Sequence, residues 1–223
     1  MERQAGGAAT SSLLSYINDG GPLIMWTLVT LFILGIAITI WRLIVISIAM
    51  YNTRSFYKKV NVALAVKENG VSTAMDICEK TPGPAATIIH AGLSRLHKGI
   101  DNVEKAVDNA GAIEMSFLEN GLVWLATIAS TAPLIGFFGT VAGMILSFRS
   151  IAEAGYADPS VVAGGISMAL ITTAGGLLVA IPINIAHNVC VYLIEKIVVG
   201  MEENASRFID TLVDLGYDSP EPE

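Results

Sequence analysis

Apolar residues are concentrated in three long runs. The runs are Pro22 to Trp41, Leu122 to Phe148 and Ser160 to Ile194. None of them contains an Asp, Glu, Lys or Arg. A helix of about 20 apolar residues crosses the hydrocarbon core of a bilayer. The pattern therefore predicts an all-α membrane protein with three transmembrane helices and additional cytoplasmic helices. The second and third transmembrane helices are predicted to be very long and to extend into the cytoplasm.

The runs divide the chain into seven predicted segments. They are an N-terminal segment (1–21), a first transmembrane helix with its extension (22–50), a helical region (51–120), a second transmembrane helix (121–149), a loop (150–159), a third transmembrane helix with its extension (160–194), and a C-terminal helix and tail (195–223). Leu13, Leu14 and Ile17 predict a short surface helix in the first segment, with a frayed terminus as the alternative. Apolar positions in region 51–120 recur at helical intervals, which predicts amphipathic helices.

Lys and Arg are distributed unevenly between the segments. Region 51–120 carries eight of the 13 basic residues, whereas the N-terminal segment carries Arg3 and the connection after the second run carries Arg149. Loops rich in Lys and Arg stay on the cytoplasmic side. The region 51–120 and the C-terminal tail are therefore predicted to be cytoplasmic, and the N-terminus and the 150–159 loop periplasmic.

Small residues form a stripe along each of the two later runs. The residues of each stripe follow one another at intervals of three or four positions. They are Ala129, Ala132, Gly136, Thr140, Gly143 and Ser147 in the second run, and Gly165, Ala169, Thr173, Gly176, Ala180, Asn184 and His187 in the third. Such spacing places them on one helix face, where small side chains let another helix approach closely. Simple close packing and a polar lining that faces a ligand are both compatible with these stripes.

Composition excludes several classes of protein. Hydrophobic residues make up 53% and charged residues 15% of the 223, against about 25% charged in soluble domains. The net charge is −7 and the chain has no basic patch, so we expect no nucleic-acid partner. Cys78 and Cys190 lack metal or redox spacing and are predicted to be buried thiols.

The two later runs carry no Asp, Glu, Lys or Arg, and their one histidine is His187. Because ionisable groups inside the membrane mark proton pathways, any proton that crosses here needs a titratable group from a second polypeptide. His90 and His97, with Glu104 nearby, are a weak metal-site alternative. No Walker, GxSxG or HExxH motif occurs, so we predict no catalytic, cofactor or metal site and no enzyme.

Three stretches carry a resemblance to a known family. They are Gly20-Gly21-Pro22 through Met25-Trp26, LATIASTAPLIGFFGTVAGMILSF from Leu125, and GGISMALITTAGGLLVAIPINIAHN from Gly164 to Asn188. The chain resembles the MotA/TolQ/ExbB proton channel family, and three spans fit its ExbB/TolQ branch. The resemblance implies an inner-membrane ring, typically a homopentamer, around an ExbD- or TolR-like protein with one span and a membrane Asp. It also implies that protonmotive force drives work on a TonB- or TolA-like client.

The resemblance also assigns candidate site residues. Thr140 and Thr173 match the two pore-facing threonines of the family, where hydroxyls can bond to the partner's carboxyl group. The other candidates for the pore lining are Thr172, Gly136, Gly143, Ser147, Ala169 and Gly176. Met168 replaces a glutamate that relatives often carry. A self-sufficient channel and a scaffold without transport remain alternatives, and the client and the choice between H⁺ and Na⁺ stay open.

Overall fold

The computed structural model describes residues 20–50, 53–66, 69–156 and 158–217. Its α-helices are α1 (Pro22–Met50), α2 (Thr53–Leu64), α3 (Gly70–Lys80), α4 (Pro84–Leu93), α5 (Ile100–Glu119), α6 (Leu122–Ala154) and α7 (Pro159–Asp214), with a 3₁₀ turn at Leu96–Lys98. The surface helix predicted at Leu13, Leu14 and Ile17 and the tail from Asp218 lie outside the described residues.

The all-α prediction is confirmed. The described residues form helices and turns and contain no strand. Three helical stretches are long and apolar enough to cross a membrane, namely Pro22–Met50, Ile100–Ala154 and Pro159–Asp214. The last two are the longest, as predicted.

Glycine and proline determine where the long helices begin. Pro22 occupies the start of α1, where a missing N–H leaves no bond unmade. Gly121 has φ +89°, which separates α5 from α6 within the second long stretch. Pro133 and Pro182 lie inside α6 and α7 without ending them. Helix α7 also passes without a break through position 194, at which the sequence analysis divided the third span from the C-terminal segment.

The chain forms two compact units. The span unit comprises the described residues up to Ile40 together with Gly121–Asn188, and the amphipathic unit comprises the described residues of Trp41–Asn120 and of Val189 onward. Within the span unit α1 packs against α6 and α7 through small residues. A Cβ added to Gly35 would lie 2.6 Å from Ile183 Cδ1. One added to Gly175 would lie 3.3 Å from Met25 Sδ.

Large apolar side chains fill the core of the amphipathic unit. Phe208 is 1% exposed, and a Cβ added to Gly92 would lie 3.1 Å from Phe208 Cε1 and 2.8 Å from Val107 Cγ2. Helices α4, α5 and α7 therefore meet around Phe208. Val60, Leu64, Ile88, Ile89, Val103 and Leu212 are also fully buried.

The histidines and cysteines do not form a cluster. His90 lies on α4, His97 in the 3₁₀ turn and Glu104 on α5, so the two histidines do not share a helix. No group of three metal-ligating side chains occurs among the described residues. Cys78 and Cys190 are both buried and free, and burial raises the pKa of Cys78 to about 11.

Candidate functional site

The two small-residue stripes face each other within one chain. A Cβ added to Gly136 would lie 2.8 Å from the Thr172 carbonyl oxygen, and one added to Gly176 would lie 2.7 Å from the Ala132 carbonyl oxygen. One added to Gly143 would lie 2.9 Å from the carbonyl oxygen of Gly165. These contacts are to backbone atoms, which cannot rotate away. Only glycine therefore allows α6 and α7 to approach this closely.

The eight candidate residues separate into two groups by burial. Six of them are buried in the span unit, namely Gly136, Gly143, Ser147, Ala169, Thr172 and Gly176, whereas Thr140 and Thr173 are only partly buried. The structure therefore brings all eight to the α6–α7 contact. Only the two threonines that the sequence analysis placed first also keep part of their surface open.

Thr140 and Thr173 form the one hydroxyl pair between the helices among the described residues. Their Oγ1 atoms are hydrogen bonded to each other. Thr140 Oγ1 also donates toward the Ala169 carbonyl oxygen at 3.1 Å, and Thr173 Oγ1 lies 3.5 Å from the Gly136 carbonyl oxygen. A hydroxyl both donates and accepts. The pair can therefore exchange one of these bonds for a bond to a third polar group without leaving an atom unpaired.

Thr172 and Ser147 have a different role from that pair. Thr172 Oγ1 donates to the carbonyl oxygen of Ala169 at 2.9 Å, and Ser147 Oγ donates to that of Gly143 at 3.2 Å, each within its own helix. The Thr172 side chain packs against Gly139, where an added Cβ would lie 2.5 Å from Thr172 Cβ. Both residues act as packing residues in this structure.

Gly139 was missed by the sequence analysis. It lies three positions after Gly136 and four before Gly143, so it continues the same small-residue spacing. This spacing identifies Gly139 as a packing position. Gly139 is buried and provides the space that the Thr172 side chain occupies.

Comparison with known proteins adds the family. A profile described as the MotA/TolQ/ExbB proton channel family matches residues 80–203, more than half of the chain. The chain belongs to this family. The matched residues include most of the α6–α7 contact and all eight candidate residues.

Individual relatives of this family are similar over shorter stretches. The Tol-Pal system protein TolQ of Haemophilus influenzae is 42% identical over 97 residues, which cover 44% of this chain and 41% of that protein. TolQ of Pseudomonas aeruginosa is 52% identical over 71 residues, covering 32% and 31%. The biopolymer transport protein ExbB of Neisseria gonorrhoeae is 44% identical over 80 residues, covering 36% of each. The chain thus aligns with less than half of the length of these relatives.

Met168, which the sequence analysis expects to replace a family glutamate, lies beside the start of α1. A Cβ added to Gly21 would lie 2.5 Å from Met168 Cε, and Met168 is partly buried. An apolar thioether therefore occupies this position next to the α1 start, and no carboxylate is available from it.

Proposed function

We propose that this protein is an oligomeric inner-membrane motor subunit. In this proposal a homopentamer encloses an ExbD- or TolR-like protein with a single span, and protonmotive force drives work on a TonB- or TolA-like client. Family membership and three long apolar helices support a multi-pass channel subunit. The basic residues of region 51–120 favour a cytoplasmic side for that region and for the C-terminus, with the N-terminus periplasmic.

The Thr140–Thr173 pair carries the proposal. It is the only hydroxyl pair that bridges α6 and α7 among the described residues, and both side chains stay partly accessible. The uncharged runs around it bring no acid of their own. An Asp of the partner would accept hydrogen bonds from these hydroxyls when ionised and donate to one when protonated. The pair would thereby stabilise both protonation states of the partner's carboxyl group.

Proton flux into liposomes tests this role. The chain is reconstituted with a single-span partner that carries one membrane Asp, and a pH gradient and membrane potential are imposed. We expect Thr140→Val with Thr173→Val to abolish flux while the mass of the assembly is unchanged. The matched control is Thr127→Val on the same helix, because Thr127 Oγ1 donates only to the Val123 carbonyl oxygen of its own turn, at 2.7 Å.

Two results would contradict the proposal. Normal flux in the double valine variant would refute the role of the pair. Flux from this polypeptide without the partner would refute the two-protein mechanism and favour a self-sufficient channel.

A scaffold without transport is the second candidate function. The backbone contacts at Gly136, Gly143 and Gly176 favour it, because they explain the small-residue stripes by packing alone. A scaffold predicts that the double valine variant supports the partner's assembly and all downstream activity. The flux experiment with its Thr127→Val control separates the two functions.

A further inference from the structure

The amphipathic unit carries an apolar groove with an acidic rim. The groove has a volume of about 530 Å³ and lies between α5 and α7, with Ile88 of α4 in its floor. Its carboxylates are Glu104, Asp108, Glu202 and Asp210, and no Lys or Arg lines it. Among the described residues none of these four carboxylates takes part in an ion pair. The groove therefore favours an occupant that is both apolar and basic.

A second groove with basic residues lies between α2 and α7. It has a volume of about 430 Å³ and is lined by Lys58 and Arg207, with Tyr57, Asn61 and Val62 beside them. Tyr57 is 6% exposed, and its hydroxyl has no hydrogen-bond partner among the described residues. Burial raises the pKa of Tyr57, so the phenol keeps its proton. It is a donor that lacks an acceptor.

The two grooves lie on opposite sides of the same stretch of α7. Successive residues of an α-helix are rotated by about 100°. The α7 positions that line the acidic groove, 198, 201, 202, 205, 206, 209 and 210, then centre on one side of the helix. Asn204 and Arg207, which line the basic groove, point to the other side. One unit thus presents an acidic face and a basic face back to back.

The outer face of α2 has the chemistry that the acidic groove requires. Lys58 and Lys59 are exposed, Val62 is 62% exposed, and Val66, two residues beyond the end of α2, is 56% exposed. The 12 residues of α2 extend over about 18 Å. The groove extends from Val198 to Asp210 along α7, which is also about 18 Å. Length, charge and apolar surface therefore match.

We propose that α2 of one copy lies in the acidic groove of a neighbouring copy of this chain. This inference rests on the homo-oligomer of the proposed function and names the surface that would build it. Val103 and Val107 pack at the level of Phe208 through Gly92, so Glu104, Asp108 and Asp210 lie at one end of the groove. Lys58 and Lys59 would lie at that acidic end. Val62 and Val66 would lie toward Met115 and Val198 at the apolar end.

In this arrangement every copy has two different contact surfaces, its α2 and its acidic groove. When α2 enters the groove, its exposed Lys58 and Lys59 approach the carboxylates of the neighbour, whereas the Tyr57 side chain stays buried in its own copy. That neighbour then presents its own α2 on the opposite side of its α7. Contacts of this head-to-tail kind close into a ring when the rotation between copies closes, and otherwise they form an open filament. The α2 face and the acidic groove are the two different surfaces that a head-to-tail contact needs.

Disulfide trapping in the full-length protein tests the contact. Val62→Cys and Ala112→Cys are introduced together, because Val62 would lie on the apolar side of Lys59, near Ala112, which lines the groove between Asp108 and Met115. After oxidation we expect a ladder of disulfide-linked oligomers in denaturing gels without reductant. Cys78 and Cys190 are buried and stay as they are. When the two single variants are co-expressed, we expect disulfide-linked dimers and no larger species.

The matched control replaces Ala112→Cys by Ile113→Cys. Ile113 is the next residue on α5 and is 57% exposed, but it does not line the acidic groove. Val62→Cys with Ile113→Cys should give no ladder. Equal trapping in both pairs, or no trapping in either while native mass spectrometry shows an intact oligomer, would overturn the inference and leave the proposed function standing. A monomer for the unmodified protein would overturn both.

Charge reversal gives an independent test of the same contact. Lys58→Glu with Lys59→Glu should weaken association of the copies about tenfold or more, since like charges that face each other cost several kcal/mol. Adding Glu104→Lys and Asp108→Lys should restore it. The control is Lys98→Glu with Lys105→Glu, because neither residue lines the acidic groove or the basic groove. Association that is unchanged by Lys58→Glu with Lys59→Glu would contradict the proposal. An oligomer that forms no disulfide-linked species and binds a different protein in its acidic groove would also contradict it.

Discussion

The span unit and the amphipathic unit are both helical, but the helices within each unit are held together by a different kind of contact. In the span unit α6 and α7 touch through backbone atoms at Gly136, Gly143 and Gly176. In the amphipathic unit large side chains meet around Phe208, which is 1% exposed. The first kind of contact depends on missing side chains and the second on large ones.

The two units also treat polar groups differently. In the span unit hydroxyls such as those of Thr27 and Thr30 donate to carbonyl oxygens of their own helix, at 2.8 and 2.9 Å. In the amphipathic unit hydroxyls such as that of Thr211 make the same kind of bond, but this unit also has exposed charged side chains, among them Glu203 and Arg207, which pair at 2.6 Å. A hydroxyl bonded to its own helix leaves no unpaired group for lipid to solvate.

The difference follows from the solvent that each unit is suited to. In water, burial of apolar area stabilises by about 25 cal/mol per Å², so large side chains give the most stability. Between helices in lipid this driving force is absent, and close packing and hydrogen bonds replace it. The same chain therefore uses small residues in one unit and large residues in the other.

The largest effect is expected from the core of the amphipathic unit. Phe208→Ala should lower the free energy of unfolding by about 3–5 kcal/mol, because it removes a buried aromatic ring and leaves a cavity. The measurement is thermal or denaturant unfolding in detergent micelles. Phe117→Ala is the control, since Phe117 is 62% exposed, and it should change stability little. Equal losses for both phenylalanines would mean that Phe208 is not the core residue that we describe.

Much of the fold could be predicted from the sequence, because its signals are local. Uncharged runs gave the three spans, and helical periodicity gave the amphipathic helices. The pairing of the stripes within one chain could not be predicted, since small-residue spacing shows that a face packs but not against what. The spacing of Gly139 likewise indicates a packing position but not the side chain that packs against it. Its role appears only when Thr172 is seen opposite it.

Arg42 shows a second limit of the sequence. The uncharged run ends there, which places Arg42 at the membrane edge, where arginine usually reaches water or headgroups. In the structure Arg42 is 1% exposed, and its Nε and Nη2 have no partner among the described residues. Its guanidinium carbon lies 5.8 Å from the centre of the Trp41 ring. The pattern of apolar residues along one helix therefore does not show whether the side chain at the end of a span is buried in the folded chain.

Closest packing in the span unit should give the next largest effect. Gly176→Ala forces a methyl group to within 2.7 Å of the Ala132 carbonyl oxygen and should destabilise by about 1–3 kcal/mol, as overpacking does. Gly164→Ala is the control on the same helix, because an added Cβ there meets nothing within 4 Å. Unfolding in micelles should show the loss only for Gly176→Ala. A loss of stability of the same size for Gly164→Ala would show that the effect arises within helix α7 itself and not from the α6–α7 contact.

The hydroxyl pair should contribute less than either packing contact. A double-mutant cycle of Thr140→Val and Thr173→Val should give a coupling free energy of about 0.6 kcal/mol, typical of hydrogen bonds between membrane helices. The same cycle with Thr127→Val and Thr173→Val should give no coupling, since Thr127 bonds only within its own helix. A coupling that is absent for both pairs would show that the two hydroxyls do not bond to each other in the membrane.

The smallest effect is expected at the start of α7, where the polar groups are exposed to water. Asp158 Oδ1 accepts hydrogen bonds from Ser160 Oγ at 2.7 Å and from the Ser160 N–H at 2.9 Å. These bonds lower the pKa of Asp158, so the stabilisation is complete above the unfolded-state pKa of about 3.9. It is lost as the pH falls through the lower folded-state value. The difference in unfolding midpoint between the unmodified protein and Asp158→Asn should thus be constant near neutral pH and shrink in acid. Ser160→Ala, which removes one of the bonds, should move that decline toward higher pH, and a difference that does not change with pH would show that the carboxylate has no such role.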